Sequence, residues 1–248
     1  MVEKVTAIVQ ARVGSTRLRS KIFEKIGDLP AISLLLKRLE LSKKIDEIII
    51  ATTDEDEDDQ IVNYCKKNGY KFFRGHRDNV LERFYDCANE FKVETIARIT
   101  ADDPFKDYEV IDKAIDIYNT GDFDYVSNTI IPTYPEGIDI EIFSFNALEI
   151  AKIQAIKNSD MMHVTPYIIK NPKIFKCYNF KHSTDLSRYR FTLDYLEDLK
   201  YLNEIFCRIQ KINFSFLEVV KIINAYKIKE FKHIERNEGY IKDIKNES

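Results

Sequence analysis

The sequence predicts an α/β protein with three layers, helix–sheet–helix, built around a mainly parallel sheet. Short apolar runs typical of buried strands alternate with stretches of helical periodicity from Lys4 to Val126. A repeated strand–helix order of this kind favours parallel strands with helices on both faces. After Asn128 the rhythm changes to a turn-rich link, which predicts a smaller lobe, residues 130–190, inserted into the same domain.

The first half of the chain contains the clearest strand–helix alternation. We predict strands at residues 4–10, 47–52, 70–73, 94–99 and 123–126, and helices at residues 30–41, 79–91 and 108–118. Another helix is expected after the second strand, with Thr53 or Asp54 as its cap. The acidic run 55–59 suits the positive end of that helix's dipole, and a metal site there is the weaker alternative.

The second half is predicted to complete the same single domain, residues 1–228. Strands are expected at residues 138–143, 174–179 and 188–193, and helices at residues 145–157, 163–170, 195–209 and 215–225. The last residues are mostly polar, so residues 229–248 are predicted to form a polar C-terminal tail.

Composition and charge exclude several function classes. A net charge of -3 disfavours nucleic-acid binding as the main role, because an acidic chain gains nothing from a phosphate backbone. No apolar stretch reaches the roughly 20 residues that a membrane helix needs. The four separated cysteines form no C-x-x-C pair, so we expect reduced thiols in a cytoplasmic protein. With seven glycines, the chain has neither a dinucleotide fingerprint nor a Walker loop.

A basic loop follows the first predicted strand directly, from Gln10 to Lys21. It combines basic side chains, hydroxyls and a glycine, namely Arg12, Arg17, Arg19, Lys21, Ser15, Thr16 and Gly14. Successive backbone N–H groups, hydroxyls and basic side chains are the groups that hold a triphosphate. On composition alone, a solvated surface loop that happens to be basic remains an open alternative.

Carboxylates follow two other predicted strands. Asp102 and Asp103 come shortly after the strand at 94–99, and Asp194 follows the strand at 188–193. In parallel sheets, ligands bind at the carboxyl ends of the strands. Carboxylates in that place can hold Mg²⁺, although each could instead cap the helix that follows it. The convergence of a basic loop with two separated carboxylates favours a site for a metal triphosphate.

Several segments of the chain carry a resemblance to a known enzyme family. They read AIVQARVGSTRLRSK (7–21), IATTD (50–54), FRGHRDNVLERF (73–84), RITADDP (98–104), DYVSNT (124–129), YPEGIDIEIFS (134–144), HVTPYI (163–168) and TLDYLEDL (192–199). With these segments in this order, the chain resembles the cytidylyltransferases that make CMP-sialic acid and CMP-KDO. Within that family it is most similar to the SpsF-type relatives of spore coat polysaccharide biosynthesis. The resemblance implies a nucleotide-diphospho-sugar transferase-like fold.

The resemblance also implies a role for each candidate residue. The catalytic residues would be Arg12, Lys21, Asp102 and Asp194, with the two aspartates as ligands of Mg²⁺, the expected cofactor. The nucleotide would be bound by Gln10, Ala11, Arg12, Gly14, Ser15, Lys21, Thr53, Arg83 and Thr100. The acceptor would lie against Glu141 and His163, although His163 could equally cap or pack within its own helix. Tyr134 is a further candidate for the acceptor, because it stands in the turn-rich segment after Asn128. A homodimer is implied as well, with residues 138–143 in the subunit contact.

Two positions depart from the usual pattern of the family. Relatives usually read TRLPGK where this chain reads TRLRSK (16–21), which changes the rigidity of the loop but keeps Lys21. Relatives also usually read VDYPEDL, and here Leu196 replaces the proline. That change bears on the start of the following helix, because proline suits the first helical turn, and it leaves Asp194 in place.

The predicted function is transfer of CMP from CTP to an acidic or phosphorylated sugar, or a similar small anionic acceptor, in surface polysaccharide or glycoconjugate precursor synthesis. An acceptor oxygen would attack the α-phosphorus in line and pyrophosphate would leave, with positioning and electrostatics supplying most of the acceleration. Two alternatives remain open, a nucleotide-sugar-dependent glycosyltransferase of the same fold and a non-catalytic nucleotide-binding protein. The basic loop favours a triphosphate over a diphosphate sugar.

Overall fold

A seven-stranded sheet forms the middle layer of the protein, which a computed structural model describes at residues 4–15, 17–229, 236 and 238–246. In chain order the strands are β1 (Val5–Gln10), β2 (Lys25–Ile26), β3 (Leu29–Pro30), β4 (Glu47–Thr53), β5 (Lys71–Gly75), β6 (Thr95–Thr100), β7 (Tyr125–Ser127), β8 (Glu141–Ser144) and β9 (Cys177–Asn179). β2 and β3 pair separately, and the main sheet has the order β5-β4-β1-β6-β8-β7-β9. Among the described strands of the main sheet, β8 alone is antiparallel to its neighbours, so the predicted mainly parallel α/β sheet is confirmed.

Helices cover both faces of this sheet. They are α1 (Ala31–Leu39), α2 (Asp59–Asn68), α3 (Val80–Phe91), α4 (Tyr108–Thr120), α5 (Phe145–Gln154), α6 (Asn158–His163), α7 (Pro166–Lys170), α8 (Leu196–Ile209), α9 (Phe216–Tyr226) and α10 (Glu238–Asn246). A hydrophobic core lies on each face of the sheet, and successive residues of β1 contribute to them alternately. Ala7 and Val9 pack with α1, α2 and α4, whereas Ile8 packs with α3 and α5. Burial on both faces explains the continuous apolar runs of these strands.

Three predictions of local structure are wrong. Residues 188–193 form no strand. Arg190 makes an isolated β-bridge with Glu136, and the N–H of Leu193 donates to the backbone oxygen of Asp102 at 2.8 Å. The predicted helix 163–170 is two helices, because the backbone at Val164 has a φ of 70° and interrupts it. The strand predicted at 138–143 is shifted, and β8 begins at Glu141.

The helix caps also differ from the prediction. The residue at the N-cap position of α2 is Asp58, rather than Thr53 or Asp54, and its side chain makes no capping hydrogen bond. Its buried carboxylate instead accepts hydrogen bonds from the backbone of Val13 and from Thr53. Asp107 caps α4, where its Oδ1 accepts from the backbone N–H groups of the next turn at 2.9 and 3.2 Å. Neither Asp102 nor Asp103 therefore serves as the cap of that helix.

The segment 138–143 lies inside the protomer. β8 enters the main sheet between β6 and β7, and Ile138, Ile140, Ile142 and Phe143 are each at most 1% exposed. The prediction that this segment forms part of a subunit contact is wrong, because its apolar side chains are already used in the core.

The C-terminal residues contain a helix that the sequence analysis did not predict. α10 packs against α6, and the ring of Tyr240 lies 5.0 Å from the ring of His163, centroid to centroid. Part of the segment expected to be a polar tail is thus attached to the domain. None of the helices in the described ranges is long and apolar enough to cross a membrane.

Arg38 of α1 is hydrogen-bonded to two loops, the one before α4 and the one before α9. Its replacement is expected to destabilise the fold. Its side chain is 0% exposed and donates to the backbone oxygens of Lys106 (2.8 Å) and Phe214 (2.9 Å). Burial lowers the pKa of Arg38 to about 10, so the guanidinium stays charged near neutral pH. Arg38→Ala leaves these carbonyl groups without donors, and we expect urea unfolding to show a loss of about 3 kcal/mol. The exposed neighbour Lys37 is the control, since Lys37→Ala should cost less than about 0.5 kcal/mol; equal losses would contradict this account.

Candidate functional site

Two adjoining cavities open at the carboxyl edge of the parallel strands. The first, here called the loop cavity, has about 590 Å³ and lies against the basic loop after β1. The second, the inner cavity, has about 400 Å³ and lies between β6, β8 and the segment before α8. Both are lined by Gln10, Arg17, Asp102, His163 and Gly239. The site therefore has two connected compartments at the edge where the sequence predicted it.

The basic loop is held in a folded conformation by its own backbone and by α2. The N–H groups of Ser15 and Ser20 both donate to the oxygen of Val13, at 2.7 and 3.1 Å. A Cβ at Gly14 would stand 2.2 Å from Glu57 Oε1, so this position needs glycine unless that side chain moves. Ala11, Arg12, Gly14, Ser15 and Lys21 line the loop cavity. Thr16 lies outside the described residues.

Two arginines bring unneutralised positive charge to the loop cavity. Arg12 is exposed there, and no ion pair is recorded for it within the described part of the chain. Arg83 is 2% exposed, and its Nη1 donates to the backbone oxygens of His76 and Arg77 at 2.9 and 3.2 Å. Burial and the nearby charge of Arg12 lower the pKa of Arg83 to about 10. An anion in this cavity would relieve the repulsion between the two guanidinium groups.

Lys21 joins the two aspartates that the sequence analysis singled out. Its Nζ donates to Asp102 Oδ2 at 2.6 Å and to Asp194 Oδ1 at 2.8 Å. Burial alone would lower the pKa of Lys21, but the two carboxylates outweigh it and raise the pKa above its ordinary value. Burial alone would raise the pKa of Asp102, and the Lys21 charge outweighs it and lowers that pKa. The three side chains form one charged cluster between the cavities.

Asp194 does not cap α8. Its carboxylate contacts Arg17 at 2.5 Å, Lys21 at 2.8 Å and Arg190 at 2.6 Å. The backbone N–H groups of residues 194 and 195 donate instead to Asp198, at 2.8 and 2.9 Å. The helix therefore starts at Leu196 without the proline that relatives have there.

The cluster fits a magnesium ion that also binds phosphate. Asp102 and Asp194 converge on one position, now taken by the Lys21 ammonium, and the Asp102 side chain keeps 31% exposure. Within the described ranges no group of three or more His, Cys, Asp or Glu side chains is placed to hold a metal. Mg²⁺ commonly binds through one or two carboxylates, with substrate phosphates and water completing its shell. Two carboxylates beside the basic loop match that donor set.

A buried polar network forms the floor of the inner cavity. Glu141 on β8 pairs with Arg98 on β6, and it accepts hydrogen bonds from Tyr125 (2.7 Å) and Thr165 (2.5 Å). Gln10 accepts from Arg98 at 3.0 Å and links the network to β1. Gln10 and Glu141 were predicted from the sequence, but Arg98 was not, because its only signal was an arginine inside an otherwise apolar strand.

Glu141→Gln is expected to change how stability depends on pH. Burial alone would raise the pKa of Glu141, but Arg98 and the hydroxyls of Thr165 and Tyr125 outweigh it and lower the pKa. The carboxylate therefore stabilises the protein above its ordinary pKa, and this contribution is lost as the pH falls through the folded-state value. In urea unfolding we expect Glu141→Gln to lose about 2 kcal/mol near neutral pH and less in acid. The exposed Glu109→Gln is the control; parallel pH curves for the two variants would contradict the assignment.

His163 stands at the junction of the cavities, next to a strained backbone. Val164 has φ 70° and ψ -58°, and the N–H of Thr165 donates to the His163 oxygen at 2.9 Å, which defines a γ-turn. Such a conformation costs on the order of 1–3 kcal/mol for a β-branched residue and occurs most often at functional sites. The ring Nε2 lies 2.8 Å from Asp243 Oδ2 on α10. Burial lowers the pKa of His163.

A second ion pair supports the floor of the inner cavity. Lys106, which the sequence analysis also missed, is 2% exposed and donates to Asp103 (2.8 Å) and to the backbone oxygen of Asp139 (2.6 Å). Thr100, predicted to bind the nucleotide, lines the inner cavity and donates to Asp103 at 2.5 Å. Asp103 thus belongs to this supporting pair, whereas Asp102 reaches both cavities.

Two predicted site residues line neither the loop cavity nor the inner cavity. Tyr134 is 2% exposed, and its ring packs against Phe180 and Phe216 in the core. Thr53 is 1% exposed, and its hydroxyl donates to Asp58. The assignments of Tyr134 to the acceptor and of Thr53 to the nucleotide are wrong as direct contacts, because neither side chain lines a cavity.

Comparisons with known proteins point to one family. The family model described as Cytidylyltransferase matches residues 6–237. A Methanocaldococcus jannaschii protein described as uncharacterized is 38% identical over 236 residues, 94% of this chain and 95% of that protein. The spore coat polysaccharide biosynthesis protein SpsF of Bacillus subtilis is 33% identical over 226 residues, 88% and 92% of the two chains. The solved structure of a cytidylyltransferase from Leptospira borgpetersenii is 32% identical with a TM-score of 0.88, covering 94% and 100%.

Proposed function

Because the chain belongs to the cytidylyltransferase family, we propose that it transfers CMP from CTP to a small acceptor and releases pyrophosphate. The similarity to SpsF-type relatives that the motifs indicated is confirmed at the level of the whole chain. The single observation that carries the proposal is the charged cluster of Lys21, Asp102 and Asp194 between two cavities. It would place a triphosphate on one side and an acceptor on the other.

The loop cavity is the proposed site of the triphosphate. Arg12, Lys21 and the buried Arg83 supply positive charge, and Ser15 and the backbone around Gly14 supply hydrogen-bond donors. As the α-phosphorus is attacked, negative charge builds on the leaving pyrophosphate, and Arg12 and Lys21 would stabilise it. These groups act by position and charge, so the reaction needs no covalent intermediate on the protein.

We propose Mg²⁺ as the cofactor, with Asp102 and Asp194 as its protein ligands. The support is the convergence of the two carboxylates beside the phosphate-binding loop. A bound magnesium ion would neutralise phosphate charge as a Lewis acid. Lys21, which bridges the carboxylates at 2.6 and 2.8 Å, would turn its ammonium toward phosphate oxygens when the nucleotide binds.

The inner cavity is the proposed site of the acceptor, an acidic or phosphorylated sugar or a similar small molecule. Its walls combine cations, carboxylates and hydroxyls, among them Arg98, Lys170, Glu141 and Thr165. Such a mixture can bind an anionic group and several sugar hydroxyls together. The relative named for spore coat polysaccharide biosynthesis supports a role in surface polysaccharide precursor synthesis.

The proposal is tested by pyrophosphate release from each of the four nucleoside triphosphates with Mg²⁺, across a panel of acidic sugars and phosphorylated acceptors. We expect release with CTP and one class of acceptor. CTP binding by calorimetry without release from any panel member would favour a binding protein. Consumption of a nucleotide sugar without pyrophosphate would replace the proposal with a glycosyltransferase.

We also propose that two copies of the chain associate. The support is the family resemblance, together with an apolar surface at the end of α5, where Ile153 and Ile156 are 72% and 86% exposed. Sedimentation velocity should show a dimer, and Ile156→Lys should shift it toward the monomer. A wild-type protein that sediments as a monomer at assay concentrations would exclude this association.

A cytoplasmic location is part of the proposal. The supporting observation is that all four cysteines are free thiols. Fractionation of cells that express the tagged chain would test it, and recovery outside the cytoplasm would contradict it.

A further inference from the structure

We propose that Asp243 on α10 is a positioning residue, which holds the His163 imidazole so that its other ring nitrogen accepts the proton of the acceptor hydroxyl. The inference rests on the proposed function, because it concerns the proton that the acceptor loses. It adds α10 to the site, a helix in the segment that was predicted to be a polar tail.

The contact between the two side chains selects one form of the imidazole ring. Asp243 Oδ2 lies 2.8 Å from His163 Nε2, with the two side chains 26% and 27% exposed. An ionised carboxylate only accepts hydrogen bonds, so the neutral ring must carry its proton on Nε2. Nδ1 then keeps its lone pair, and no hydrogen bond to Nδ1 is recorded among the residues that the structure describes. Tyr240 packs edge-on against the ring at 5.0 Å and restricts its orientation.

The position of His163 suits proton transfer between substrates. Among the described residues that line both cavities, it is the one whose ordinary pKa lies near neutral pH. Asp102, which also lines both, belongs to the charged cluster with Lys21. A base at this junction can reach an acceptor in the inner cavity while the nucleotide occupies the loop cavity.

The backbone turns sharply directly after His163, where α6 ends. Val164 is the central residue of the γ-turn and has a positive φ, although it is β-branched and 0% exposed. The turn directs Thr165 to Glu141, at 2.5 Å, in the floor of the inner cavity. Strain retained between two site residues is expected where the geometry serves function.

The charged groups around His163 leave the ring neutral near pH 7. Burial lowers its pKa, and Arg98 on β6 acts in the same direction. Asp243 on α10 and Glu141 on β8 act in the opposite direction and are outweighed. A neutral imidazole can accept a proton, and the Asp243 carboxylate then stabilises the imidazolium that forms.

The proposed step couples loss of the acceptor's proton to substitution at the α-phosphorus. The O–H bond of the acceptor breaks, and the proton passes to His163 Nδ1. The acceptor oxygen forms a bond to the α-phosphorus of CTP, and the bond from that phosphorus to the bridging oxygen of the pyrophosphate breaks. Pyrophosphate leaves with the electron pair, and the imidazolium returns its proton to solvent.

The first test needs no substrate. Nitrogen-detected NMR of the ring, assigned with His163→Gln, reports which nitrogen carries the proton. We expect the Nε2–H form in the wild-type protein, loss of that preference in Asp243→Ala, and its retention in Asp243→Asn, whose carbonyl still accepts. Lys245→Ala on the same helix is the matched control. An unchanged ring form in Asp243→Ala overturns the proposal.

The second test separates positioning from structure. With CTP and the acceptor found in the panel, Asp243→Ala should lower kcat about tenfold and move the acidic limb of the pH profile. CTP binding should not weaken, because the variant removes a negative charge from the wall of the loop cavity. Equal kcat values for Asp243→Ala and Lys245→Ala overturn the proposal. Absence of CTP binding in the wild-type protein instead refutes the proposed function, and the ring NMR still decides the Asp243–His163 contact.

Discussion

Asp102→Asn is expected to abolish pyrophosphate release while the protein stays folded. The carboxylate contacts the Lys21 ammonium at 2.6 Å and keeps 31% side-chain exposure, so little of the core depends on it. An amide removes one of the two negative charges proposed to hold Mg²⁺. We expect turnover to fall about 1000-fold and the free energy of unfolding in urea to change by less than about 1 kcal/mol. Turnover close to wild type would contradict the metal assignment.

The adjacent residue provides the matched control for this prediction. Asp103 is 4% exposed and pairs with Lys106, which is 2% exposed. Asp103→Asn leaves a buried ammonium without its counter-charge, and we expect a loss of about 3 kcal/mol of stability. The same substitution at neighbouring positions should thus separate catalysis from folding, since Asp102 faces the cavities and Asp103 supports their floor.

Lys21→Met is expected to have the second-largest effect on activity. It removes the ammonium that joins Asp102 and Asp194 and would later contact phosphate. We expect kcat to fall about 100- to 1000-fold, since a charged donor to the developing negative charge is lost. Calorimetry should also show weaker CTP binding. Lys25→Met, at an exposed position of β2, is the control and should behave like the wild-type protein.

Lys21→Met is also expected to change how the stability of the protein depends on pH. Without the ammonium, the two carboxylates repel each other, and the pKa of Asp102, which Lys21 holds down, rises in the folded state. The destabilisation relative to wild type should therefore be largest near neutral pH and decrease as the pH falls and the carboxyls are protonated. Urea unfolding at several pH values measures this difference. A difference that grows in acid would contradict the charged cluster.

Local patterns were sufficient to predict the parallel half of the sheet and the edge that carries the site. The apolar runs of β1, β4, β5 and β6 are short and continuous because these strands are buried on both faces. Their carboxyl ends share one edge, so the loop with Lys21 had to approach Asp102, and the structure brings them together. The capping alternative for Asp102 was excluded only by the structure, which places Asp107 in that role.

Contacts between distant segments could not be predicted in this way. Arg98 and Glu141 are 43 residues apart and meet because β8 enters the sheet antiparallel to β6. α10 has a mostly polar sequence, and its position depends on contacts with α6. Tyr134 was assigned to the acceptor because its segment is rich in turn residues, but turn composition does not reveal that the ring is buried. The prediction of a strand at 188–193 was wrong for a similar reason. The alternation of polar and apolar residues there reflects the packing of a loop against the core.

The central claim, transfer of CMP, is tested most directly by phosphorus NMR of CTP with Mg²⁺ and the acceptor panel. We expect the α-phosphorus signal of CTP to be replaced by that of a phosphorus joined to the acceptor, with an equal amount of pyrophosphate. Little conversion of the other nucleoside triphosphates should occur. An α-phosphorus signal that stays unchanged across the panel while CTP binds, or cleavage of a nucleotide sugar without pyrophosphate, would contradict the account.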